Sequence, residues 1–171
     1  AVIIVMASIL RVLGGWIADR IGGLRLLYAL GFVIIGATGA AALLPPNPWV
    51  MVAILVVCFS AMGAGNGAVF QLVPLRFRTS TAVAGSLVGE IGALAGGFLP
   101  NAMGMGKQHF GSFAPGFLSG TVLAVLVLIA LVLVTKKWTS TWVGHGGKAR
   151  DEDHEPARAR EPAASSFETT R

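Results

Sequence analysis

Five stretches of mostly apolar residues follow one another along the chain, at about 1–18, 24–44, 49–73, 81–104 and 116–135. Each is close to the roughly 20 residues that a helix needs to cross the hydrocarbon core of a bilayer. Short breaks separate them: a polar turn at Asp19–Gly23, a proline break at Pro45–Pro48, a basic turn at Leu75–Ser80 and a Gly-rich loop at Gly104–Pro115. Before Lys136 the charged side chains are only Arg11, Asp19, Arg20, Arg25, Arg76, Arg78, Glu90 and Lys107, whereas Lys136–Arg171 is crowded with charge. A water-soluble domain spreads its charges over the whole chain. The expected fold is therefore an all-α membrane protein, with five transmembrane helices over 1–137 and a polar tail over 138–171 that is poor in large apolar residues and expected to be disordered.

The net charge of +5 does not point to nucleic acid, because the cations stand at the ends of apolar runs instead of forming a patch. Arg20, Arg25, Arg76, Arg78, Lys136 and Lys137 fall at one side of a five-helix chain and Lys107 at the other, so the first set should face the cytoplasm, and with it the tail. The implied location is a membrane, crossed several times. Cys58 is the one cysteine and lies within an apolar run, where it reads as a small buried hydrophobe. Asp151, Glu152, Asp153 and His154 read as a solvated charge run rather than a metal site, and no cofactor is expected. The chain starts within an apolar stretch, with neither an initiator Met nor a signal-type leader, and is expected to be a fragment of a longer protein.

The residues that cost most to bury in a bilayer carry the functional information, because an ionisable group at mid-membrane costs at least about 2.5 kcal/mol on insertion scales. Arg11 lies about 12 Å inward of the Asp19–Arg20 turn, at 1.5 Å per helical residue. The neighbours on its helical face, Ala7, Ser8, Gly14, Gly15 and Ala18 among them, are small, so other helices can come close. A guanidinium is always charged and offers two parallel N–H donors, which suits an oxyanion; the other reading is an Arg held by a structural carboxylate. Glu90, about 15 Å into its helix, is the obvious such carboxylate, and it reads either as a proton carrier or as the ion-pair partner of Arg11. Gly85, Gly89, Gly92 and Gly96 form a stripe beside it suited to close helix packing. In Gly63-Ala64-Gly65-Asn66-Gly67-Ala68-Val69-Phe70 the glycines Gly63, Gly65 and Gly67 allow a close approach, by a ligand or by a neighbouring helix. Asn66 could donate to an anion there, and Phe70 could wall the site.

At these residues the chain resembles the major facilitator superfamily, and within it the nitrate/nitrite porters of NarK type. Arg11-Val12-Leu13-Gly14-Gly15-Trp16-Ile17-Ala18-Asp19-Arg20-Ile21-Gly22-Gly23 is similar to the end of the family's helix 8 and the cytoplasmic loop that follows, in which Asp19 and Arg20 are the superfamily's characteristic pair. Gly63–Pro74 is similar to its helix 10. Ala84–Pro100, with Gly85, Gly89, Gly92, Gly96 and Gly97, is similar to the nitrate signature of its helix 11, although Glu90 stands where an uncharged residue is usual. The resemblance covers about residues 5–135 and implies helices 8 to 12, the greater part of the second half of a 12-helix transporter that moves nitrate or nitrite by alternating access. It also implies that Arg11 grips the anion, with Asn66 and Phe70 nearby, that a missing N-terminal half supplies a partner arginine, and that no enzymatic bond-making is involved. Two other readings stay open: a transporter of another small anion or drug, and a membrane scaffold or sensor that works through its tail.

Overall fold

The computed structural model describes residues 2–44 and 46–149. Six helices follow one another: α1 Val2–Ile21, α2 Gly23–Ala42, α3 Pro48–Arg76, α4 Thr81–Gly96, α5 Phe98–Phe110 and α6 Ala114–Thr141, with a short 3₁₀ turn at His145–Gly147. Among the described residues, four segments are long and apolar enough to cross a membrane: Gly23–Ala42, Pro48–Arg76, Thr81–Phe110 and Ala114–Thr141. The 20-residue α1, interrupted by Arg11, packs along α3.

Local chemistry accounts for most of the helix ends. Gly22 alone separates α1 from α2 and takes φ 100°, a conformation that glycine adopts without a Cβ clash. Its N–H still bonds the Ala18 carbonyl at 2.8 Å, so Asp19 and Arg20 belong to the last turn of α1 and not to a separate loop. The Asn47 side chain accepts from the N–H of Trp49 at 2.9 Å and Pro48 opens α3, a standard N-terminal arrangement. Gly111 closes α5 in the left-handed region, φ 68°.

Two boundaries differ from expectation. The apolar run over 81–104 is not one helix, since α4 stops at Gly96 and α5 runs from Phe98 to Phe110, which puts Lys107 on a helix and leaves only 111–113 between α5 and α6. Pro100 explains the break: it has no N–H to give the Gly96 carbonyl four residues back. The chain bends at Gly97, whose N–H reaches only three residues back, to Leu94, at 3.3 Å. At the other end, α6 runs on to Thr141 instead of stopping at 135. Val143 is then fully buried with Leu24 and Leu72, so order extends past the expected tail boundary at 138. The charge run Asp151–His154 lies outside the described residues.

The helices are arranged with α1 against α3, α2 between α3 and α6, and α5 against α6, while α4 touches its neighbours only lightly. Few side chains are buried, and the largest fully buried ones are Leu24 and Val143. By contrast Val12 is 75% exposed, Leu94 82% and Leu133 73%, an apolar exterior far beyond what water tolerates. The molecule is a multi-pass membrane protein whose outer surface is solvated by lipid or by further helices. Polar ties cross from α2 to α6 at two levels: the Tyr28 hydroxyl with Thr135 Oγ1 at 2.6 Å and the Leu131 carbonyl at 3.4 Å, and Thr121 donating to Thr38 at 3.0 Å. In a membrane each is worth about 0.6 kcal/mol on average.

Candidate functional site

The contact of α1 with α3 is built on backbone. A Cβ added at Gly14 would meet the Ala64 backbone, one at Gly63 the Ala7 backbone, and one at Gly67 the Arg11 carbonyl and, at 2.7 Å, the Gly15 nitrogen. Small residues let the two helix axes come this close. Gly63 and Gly67 are thus packing residues, and Gly65 on another face meets only Leu27 and Leu30 of α2, at 3.9–4.0 Å. Of the two readings open for the glycine run, approach by a neighbouring helix is what the structure contains.

This crossing fixes where the Arg11 side chain emerges. Its guanidinium carbon lies 4.9 Å from the centroid of the Phe70 ring, a cation–π contact worth about 0.5–2 kcal/mol depending on desolvation. The two border an open cavity of about 350 Å³, together with Val12, Gly15, Asp19, Gly67 and Gln71. Among the described residues no carboxylate lies within 4 Å of Arg11 and no group accepts a hydrogen bond from it. A guanidinium resting against an aromatic ring can still present N–H donors to an oxyanion.

The other expected residues are placed less uniformly. Asn66 is exposed, one turn before Phe70 on α3, and is not in the cavity wall. Glu90 is exposed on α4 and, among the described residues, pairs with no cation, so the ion pair with Arg11 is not formed. Gly89, Gly92 and Gly96 have nothing within 4 Å of an added Cβ, and Gly85 has only the Phe70 ring, at 3.7 Å. The glycine face of α4 is therefore unpartnered within the described residues, and Gly97 marks the α4–α5 bend. Asp19 lines the cavity, while Arg20 stacks on Trp16 with its guanidinium 3.9 Å from the ring centroid. Gln71 was not anticipated. Its Oε1 is buried and, among the described residues, without a hydrogen-bond partner. The available signal was an amide inside an apolar run directly after Phe70.

The chain is 35% identical over 133 residues to the nitrite extrusion protein of Bacillus subtilis, covering 74% of this chain and 32% of that protein. It is 31% identical over 142 residues to the probable nitrate transporter NarT of Staphylococcus carnosus, covering 80% and 35%, and 28% identical over 139 residues to the nitrate/nitrite transporter NarU of Escherichia coli, covering 63% and 29%. The chain belongs to the nitrate/nitrite porter family. This porter chain spans about a third of the length of the curated relatives it matches. No family model and no solved structure matches it. In the porter, the residues gathered around Arg11 come from only two helices, so one side of the cavity stays open.

Proposed function

We propose that this chain supplies one wall of an anion path in a secondary transporter of nitrate or nitrite, and that the transporter works by alternating access in a bacterial inner membrane. The observation that carries this reading is Arg11, which among the described residues has no carboxylate within 4 Å and lies on the Phe70 ring at the edge of a cavity, well inside an apolar helix. A fixed charge there is costly unless something of opposite sign visits it. The names of the relatives agree with nitrate or nitrite as the visitor. The second wall, with the counterpart of Arg11, belongs to a part of the transporter that precedes this chain, and the basic helix ends and the tail face the cytoplasm.

The test is uptake of labelled nitrate into proteoliposomes holding the full-length transporter, with chloride, sulfate and organic anions as competitors. Saturable nitrate uptake, blocked by nitrite but not by the others, is the expected result. No uptake, or equal competition by all anions, overturns the assignment.

Two substitutions refine it. Phe70→Ala is expected to raise the nitrate concentration for half-maximal uptake by about two- to thirty-fold, the size of the lost cation–π contact. Phe70→Tyr should stay near the original value, since it keeps the ring. Glu90, exposed on α4 and without a cationic partner among the described residues, is proposed as the proton carrier. Glu90→Gln should then flatten the pH dependence of uptake; an unaltered pH profile excludes that role.

A further inference from the structure

A second cavity, of about 500 Å³ and nearly all apolar, lies on another face of the bundle between α2, α3 and α6, with Val88 of α4 at its edge. Leu30, Gly31, Val69, Leu128 and Leu131 line its length. From Val69 to Arg76 it follows α3 for about 10 Å. Part-way along it Gly31 lies so close to Leu128 that an added Cβ would be 3.0 Å from the leucine methyl, and the lining continues inward to Ile34 and Ala124. The chemistry changes at the other end. There the groove opens between Arg76, Phe77, Trp138 and Trp142. The Arg76 guanidinium lies 5.6 Å from the Phe77 ring centroid and 5.9 Å from that of Trp142, and the rings of Trp138 and Trp142 meet at a 50° tilt with centroids 5.3 Å apart. Among the described residues Arg76 has no carboxylate within 4 Å.

We propose that this groove holds one anionic phospholipid, with an acyl chain along Leu30–Leu131 and the phosphate on Arg76. Three features select that occupant. An unfilled apolar space of this size forfeits dispersion contacts, which a hydrocarbon chain restores. The one charge of the lining is positive and lies only at the end with the tryptophans, the side chains that settle at headgroup depth. Lys136 and Lys137, exposed directly before Trp138, add positive charge at the same level, as basic pockets between membrane helices do where they recognise anionic headgroups. The site is separate from the Arg11 cavity and shares no lining residue with it.

The test is native mass spectrometry of the full chain, purified in detergent and exposed to phosphatidylglycerol or phosphatidylcholine with the same acyl chains. One phosphatidylglycerol per chain should be retained, about five-fold in preference to phosphatidylcholine, the preference expected from one Arg at the membrane surface. Arg76→Gln should bring the two lipids level, Arg76→Lys should keep the preference, and Val69→Phe, which fills the groove, should reduce retention of both. Circular dichroism of each variant checks that its helix content is unchanged. Equal retention of the two lipids by the unsubstituted chain, or an undiminished preference in Arg76→Gln, would show only the lipid that coats any membrane protein and would overturn the site. Loss of the preference in Arg76→Lys would do the same, since charge would not be its cause.

Discussion

Gly67→Val is expected to abolish both the folded state of the chain and nitrate uptake by the transporter that contains it. The new side chain would enter the backbone of α1 at Arg11 and Gly15, where no rotamer change can make room. Overpacking against mobile side chains costs about 1–3 kcal/mol; against backbone the helices must move apart, and the cost rises accordingly. Separation of α1 from α3 would also remove Phe70 from beneath Arg11, so packing and site fail together. Thermal unfolding followed by size-exclusion chromatography in detergent measures the first loss and proteoliposome uptake the second. Gly92→Ala is the matched control. Nothing in this chain lies within 4 Å of its added Cβ, so the melting temperature of the isolated chain should hold or rise slightly. A Gly67→Val protein that melts at the normal temperature would disprove the backbone crossing.

Arg11→Gln is expected to lower the initial rate of nitrate uptake at sub-saturating concentration by about ten- to a hundred-fold, the value of one charge-assisted hydrogen-bonded contact. Arg11→Lys should recover only part of the loss. A lysine keeps the charge but offers a point ammonium on a flexible stem in place of a planar fork, and it stacks less well on Phe70. Rates are normalised to the amount of transporter in the membrane, and the Phe70 contact is separated by comparing Arg11→Lys in the presence and absence of Phe70→Ala. Uptake at the original level in Arg11→Lys would mean that charge alone suffices and that the fork has no part in recognition.

Much of the fold was legible because a membrane helix satisfies its backbone within its own segment. The extents of α2 and α3 follow from the length of the apolar run and from Gly22, Asn47 and Pro48, all local signals. The α4–α5 break was visible in principle, since Pro100 lies in the run, but hydropathy continues across it and conceals a lost hydrogen bond. The extension of α6 to Thr141 was obscured for the opposite reason. Lys136 and Lys137 look like a helix end, yet Trp138, Trp142 and Val143 have apolar partners on α2 and α3 that only the folded chain supplies. At the site, a lone charge inside an apolar run marked out Arg11. Asn66 looked a better neighbour than Gln71, because it shares the helical spacing of Phe59, Met62 and Phe70. The cavity lies on the flank of Phe70 nearer α1, so Gln71 lines it and Asn66 does not.

The amino-acid sequence by itself determined that this protein lives in a membrane and that Arg11 stands inside a helix. These follow from the period and length of apolar runs and from the high cost of burying charge, which are properties of each segment alone. Only the tertiary structure decided that α1 lies on α3, that Phe70 meets Arg11 with Gln71 lining the same cavity, and that Gly89, Gly92 and Gly96 of α4 have no neighbour among the described residues. In lipid every apolar face resembles every other, so the choice of partner rests on close approach between small residues far apart in the chain, Gly14 with Ala64 and Gly67 with Arg11, and no local pattern names the partner.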